Sequence, residues 1–156
     1  MAMNSQNITY NLHKLVFLLD KIADKALHEK IDITVSQFRI LMAIDHDTVS
    51  QCDIAHYWDM TEAAVSRQID MLVELKLVRR KEDKENRRKN ALYLSENGRE
   101  KLAQSSFTLD KTYNEIYKAI DINEQTILVE GLHKLLKAIC TNKTIDPFVS
   151  CKSHIK

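Results

Sequence analysis

Two helix-start signatures crowd into SQCDIAHYWDMTEAAVSRQIDMLVELKLVRRKEDKENRRKNALYLS, residues 50–95, and leave the chain little choice of fold. Ser50 with Asp53 is the S-x-x-D form of a capping box, in which the serine hydroxyl accepts from a backbone N–H of the first turn. The short helix it opens turns Ile54 and Ala55 inward, and its run breaks at Trp58. A second signature, Asp59 with Glu62, restarts a helix at once. Two capped helices this close form a tight corner, at which Tyr57 and Trp58 are packing residues.

In the second helix Val65, Ile69, Leu72 and Val73 follow i, i+4, i+7 spacing and face a core. The opposite side carries Glu62, Ala63, Ser66, Arg67 and Asp70. Thr61, Ala63 and Ala64 keep the first turn small, so that a helix N-terminus can approach a phosphate backbone and base edges. Arg67, one turn beyond Ala63, is placed either to fork onto guanine O6 and N7 or to hold a phosphate.

Two β-prone runs follow, 77–80 and 91–94, with Leu77, Val78, Leu92 and Leu94 turned toward the helices. Between them KEDKENRRKN gathers Lys81, Lys84, Arg87, Arg88 and Lys89 at a solvated hairpin tip suited to a polyanion. An isolated turn of this kind, with Glu82, Asp83 and Glu85 in it, reads as a charged loop and nothing more. Attached to a helical corner with a small-residue helix start, it reads as the wing of a nucleic-acid-binding module.

TEAAVSRQIDMLVELKLVRRKEDKENRRKNALYLSENGREKL resembles the DNA-binding core of the MarR family of bacterial transcriptional regulators. Ser66 and Arg67 match the family's T/S-R pair, and Leu77, Val78 and Arg80 its wing opening. Asn86 and Arg88 fall on the wing's D-x-R element, and Leu94, Ser95 and Gly98 on its L-T-x-x-G closure. Two positions depart. Asn86 replaces an aspartate, reducing an ion pair to the wing arginine to a hydrogen bond, and Lys76 replaces a helix-ending glycine, which demands a left-handed lysine or a differently built turn.

Glycine (2) and proline (1) are almost absent from the 156 residues, which argues for a mainly α chain. The net charge of +1 hides a local excess of cations around the wing. No leader-like segment and no apolar run near the ~20 residues of a membrane span occur, so the sequence reads as a cytoplasmic protein without a membrane partner. Cys52, Cys140 and Cys151 lack C-x-x-C spacing and read as reduced thiols, the first two as small buried hydrophobes and Cys151 as the accessible one.

From Ile8 to Leu27 runs a helical pattern through Leu12, Leu15, Leu19 and Ile22, with a polar exit at Asp24, Lys25 and His28. Thr34 with Gln37 caps a helix carrying Phe38, Ile40, Leu41 and Ile44. Ser95 caps a long helix through Leu102, Leu109, Ile116 and Ile120, and Asn123 starts a last one carrying Ile127, Leu128, Leu132, Leu135, Leu136 and Ile139. Apolar stripes this wide at both chain ends ask for a two-fold homodimer with interleaved terminal helices, which the family resemblance also implies; a monomeric bundle is the alternative.

The expected architecture is a winged helix-turn-helix with a two-stranded β-wing and long N- and C-terminal dimerisation helices. Its parts are an N-terminal dimerisation helix (1–32), the DNA-binding domain (33–98), C-terminal dimerisation helices (99–142) and a tail (143–156) holding Pro147 and Phe148. A dimer implies a pseudo-palindromic double-stranded operator with half-sites roughly 10 bp apart, each wing using Arg88 with Arg87 or Lys89 in the minor groove.

The resemblance further implies a regulator, repressor by occupancy or activator, relieved by a small effector bound between dimerisation helices and winged module. Candidate lining residues are Tyr10, His13, His46, Tyr113 and Tyr117, although aromatics at helical spacing commonly serve as core. No H-x-x-x-H or Cys/His cluster, glycine-rich phosphate loop or nucleophile motif stands out, so neither metal, cofactor nor catalysis is expected. A winged helix that binds protein instead of DNA is the rival reading, and the cationic wing argues against it.

Overall fold

A computed structural model of the chain describes residues 5–46, 50–58, 60–82 and 90–141. Its elements are α1 (Ser5–Ile31), α2 (Val35–His46), α3 (Gln51–Tyr57), α4 (Glu62–Glu74), β1 (Val78–Glu82), β2 (Asn90–Leu94), α5 (Glu96–Tyr117) and α6 (Ile122–Thr141). The chain divides after Thr112 into two compact units. The strands form one antiparallel pair, so the fold is mainly α with a two-stranded sheet, as expected.

Helix α1 runs past the anticipated polar exit. Ala23, Ala26 and Leu27 are buried there, so ending the helix earlier would forfeit that packing. His28 and Lys30 suit the negative end of its dipole. The Lys101 ammonium donates to the Ile31 carbonyl at 2.8 Å, and Asp32, at φ 57°, turns the chain. Asp24 serves the next helix instead, its carboxylate accepting from the Val35 N–H at 3.0 Å. Thr34 and Gln37 cap α2 reciprocally, at 3.2 and 3.0 Å.

Ser50 and Asp53 form the expected capping box on α3, and Trp58 ends that helix. The next cap differs from expectation. Thr61, not the Asp59–Glu62 pair, starts α4, its hydroxyl accepting from the Ala64 N–H at 3.1 Å; Asp59 lies outside the described residues. Leu27, Ile40, Leu41, Val65, Ile69 and Leu72 are fully buried, joined by Ile54, Val78 and Leu92. Each such side chain contributes roughly 1.5–3 kcal/mol relative to exposure.

Lys76 takes the left-handed conformation, one of the two alternatives open at its position, at φ 58°. Its N–H donates to Val73 O and that of Leu77 to Leu72 O, both at 2.9 Å. This is a Schellman end with lysine where glycine is usual. The sheet register pairs Val78 with Leu94 and Arg80 with Leu92 on the inner face, and Arg79 with Tyr93 on the outer. Ser95 then ties the hairpin base to α5. Its hydroxyl donates toward the Lys76 carbonyl at 2.7 Å and accepts from the Gly98 N–H at 2.9 Å. A Cβ at Gly98 would lie 2.0 Å from the Leu77 carbonyl oxygen, which explains glycine in the L-S-x-x-G closure.

In the second unit the cap is again shifted. Asp121, not Asn123, starts α6, accepting from the Asn123 and Glu124 N–H groups at 2.8 and 2.9 Å while its own N–H reaches Glu124 at 2.8 Å. No residue of α6 is buried. Cys140, expected as a buried thiol, is exposed there and disulfide-bonded. Cys151 and the rest of the tail lie outside the described residues. Among the described residues no helix is long and apolar enough to cross a membrane.

Candidate nucleic-acid interface

The corner of α3 and α4 follows from two caps and one seam. Ile54 and Ala55 on α3 and Val65, Ile69 and Leu72 on α4 are buried, which turns the rest of α4 outward. Ala63, Arg67 and Asp70 are exposed on it, and Ala64 and Ser66 are half-buried. The first turn carries only small side chains beside Glu62, and the Thr61 hydroxyl is engaged as the cap. Among the described residues Arg67 makes no ion pair, so its guanidinium has no carboxylate competing for it.

The hairpin brackets the cationic loop, but Asn86, Arg87, Arg88 and Lys89 lie outside the described residues. The strand leading to them is fastened to α4, because Arg80 Nη2 donates to Asp70 Oδ1 at 2.6 Å. Neither residue is signalled as a partner of the other by sequence. They belong to different element types, and only the turn at Lys76 brings them together.

A second link was equally silent. Arg39 on α2 donates to Asp20 on α1 at 2.7 Å and sets its guanidinium 5.1 Å from the Trp58 ring centroid, at the end of α3. Opposite charges nineteen residues apart leave no periodic trace. Cys52, expected to be buried, is exposed on α3. The Glu62 carboxylate, by its charge and by a hydrogen bond, pushes the Cys52 thiol above its ordinary value, with a further contribution from Asp53.

The effector candidates separate. His46 ends α2 and lines two clefts shared with Asp45 and Arg99: one of about 360 Å³ over Met42, Leu102 and Ala103, the other of about 390 Å³ against Leu92, Tyr93 and Leu94. Tyr10 and His13 are exposed on α1 and line neither cleft. Tyr113 and Tyr117 pair with each other, ring centroids 6.3 Å apart. Among the described residues no three His, Cys, Asp or Glu side chains converge as metal ligands.

Residues 31–89 match the model of the MarR family. No curated protein matches the chain. Among solved structures, wild-type MarR (apo form) from E. coli is 20% identical at a TM-score of 0.76, over 87% of this chain and 99% of that one. The transcriptional regulator BldR from Sulfolobus solfataricus is 25% identical at 0.72, over 88% and 100%. CouR from Rhodococcus jostii RHA1, solved bound to p-coumaroyl-CoA, is 19% identical at 0.73, over 94% and 100%. Residues 31–89 are therefore similar to the MarR family, and the chain around them has the fold of the MarR-family transcriptional regulators it resembles.

Proposed function

We propose that this chain is a sequence-specific, double-stranded-DNA-binding regulator of transcription that acts as a homodimer in the cytoplasm and represses by covering its operator. The observation that carries the reading is α4: a capped helix with a small-residue start, a guanidinium one turn on that makes no ion pair among the described residues, and a hairpin behind it whose sequence is cationic. Thr61, Ala63, Ala64, Ser66 and Arg67 enter the major groove, and Asn86, Arg87, Arg88 and Lys89 serve the wing in the adjacent minor groove.

Residues 33–98 form the DNA module and 1–32 with 99–142 the dimerisation arms. The exposed apolar side chains of α1 (Leu15, Val16, Phe17, Leu18) and α6 (Ile127, Leu128, Leu135, Leu136) support that division. Their burial between two copies spaces the recognition helices about one duplex turn apart, roughly 10 bp. A small effector at the His46–Arg99 clefts shifts that spacing; CouR's bound p-coumaroyl-CoA supports an effector of this general kind.

Duplexes enriched by the purified chain from a random-sequence library, followed by affinity measured at several salt concentrations, test the reading. Log affinity should fall steeply and linearly with log salt. Arg67→Ala should cost about 1–3 kcal/mol and relax sequence preference. A monomeric chain, or one that enriches no duplex, overturns it.

A further inference from the structure

Asp70 is a carboxylate on the outward side of the proposed recognition helix, one turn from Arg67 and close to where phosphates would pass. Left alone it would repel the duplex or capture Arg67, since residues three apart on a helix are neighbours. In this structure its charge is engaged elsewhere. Its Oδ1 instead accepts from Arg80 Nη2 at 2.6 Å, and Arg67 makes no ion pair among the described residues. Arg80 sits on the inner face of the hairpin, paired in register with buried Leu92, so its backbone is fixed by the sheet and its head by α4.

We infer that Asp70 and Arg80 are positioning residues for DNA reading: the pair fixes the wing against the recognition helix, keeps Arg67 available to the duplex, and withholds Arg80 from the phosphates. Although Arg80 stands at the entrance to the most basic stretch of the chain, it is assigned no DNA contact. The inference rests on the DNA-binding reading above and adds the geometry that makes binding selective. A wing free to pivot would still be attracted to any duplex. Only a wing held at one angle to α4 requires both grooves to present their features at one spacing.

The consequence is specific. With Asp70→Asn the carboxylate is lost and Arg80 becomes free to meet a phosphate, so the salt dependence steepens by about 0.9 in log–log slope. Affinity for a scrambled duplex rises, while the ratio of enriched to scrambled affinity falls on the order of tenfold. With Arg80→Gln the carboxylate is freed beside Arg67, so that ratio also falls, but the slope is unchanged because no phosphate contact is lost. In the double variant Asp70→Asn/Arg80→Gln the ratio falls no further than in the worse single variant, since both act through one contact.

The probes are the duplex enriched by the wild-type chain and a scrambled duplex of equal composition, titrated across salt with the homodimer. Because the pair is partly exposed, at 33% and 52% of side-chain area, it adds little to global stability and the variants should melt like the parent. A slope lowered by about 0.9 in Arg80→Gln makes Arg80 a phosphate ligand and overturns the proposal. So do single variants with an unchanged ratio, or losses that multiply in the double variant. A wild-type chain that discriminates between the duplexes while these variants behave in any of those ways sinks the inference and leaves the DNA reading intact; a wild-type chain that binds neither duplex sinks both.

Discussion

Helix α4 has 13 residues and sets Val65, Ile69 and Leu72 wholly out of solvent; α6 has 20, is the more apolar in sequence, and buries none. Both carry the spacing of an amphipathic helix, so periodicity alone does not say where an apolar face finds its partner. The face of α4 is met within its own unit by α2, α3 and β1, where Ile40, Leu41, Ile54 and Val78 are buried. Apart from half-buried Leu132, the large apolar side chains of α6 remain between 42% and 72% exposed. Apolar surface of that extent marks an interaction face, which is the physical basis for the proposal that a second copy covers it.

Substitutions at the two helices break or sharpen this contrast. Leu72→Ala should cost about 2–5 kcal/mol of fold stability by opening a cavity, with dimer dissociation unchanged. Leu136→Asp should do the reverse, weakening the dimer about tenfold or more in sedimentation while helix content persists. A Leu136→Asp chain that remains dimeric at all concentrations would mean that α6 is not the partner face.

Gly98→Ala ranks next. A methyl 2.0 Å from the Leu77 carbonyl oxygen forces the start of α5 off the hairpin base, at about 1–3 kcal/mol or more, read from the denaturant midpoint. Gly131 on α6 has nothing within 4 Å of an added Cβ, so Gly131→Ala should be neutral or stabilising by up to about 1 kcal/mol. Equal effects at the two glycines would erase the distinction between the helices.

Lys76→Gly should stabilise the winged module by about 0.5–1 kcal/mol in thermal melts, because glycine adopts φ 58° without steric cost and offsets this only by its greater freedom when unfolded. The smallest effect concerns Cys52. With the thiol held above its ordinary value chiefly by Glu62, it carries less thiolate at a given mildly alkaline pH than a free cysteine and should alkylate more slowly. Glu62→Gln should raise that rate, and an equal rate in both proteins would deny the carboxylate its influence.

Much of the winged module was legible in the residues because its signals are local. Ser50 with Asp53, Thr34 with Gln37 and Ser95 with Gly98 sit within one helical turn, and each became a hydrogen bond. The left-handed Lys76 is one of the two alternatives that the family resemblance implied at that position. Two caps were misplaced where capping residues stand two positions apart: Thr61 over Asp59, and Asp121 over Asn123. Helix α1 ends three residues past His28, at Ile31, whose carbonyl accepts from the Lys101 ammonium of a distant helix, a contact no local signal encodes.

The order of residues by itself determined the helices, the hairpin, the inward faces and the small-residue start of α4, since caps, periodicity and β-propensity act over a few bonds. Only the tertiary structure decided that Asp70 meets Arg80, that Arg39 joins Asp20 to Trp58, and that Glu62 raises the Cys52 thiol. Charge–charge and stacking contacts depend on distances in space, which are fixed only once the turns between elements have closed.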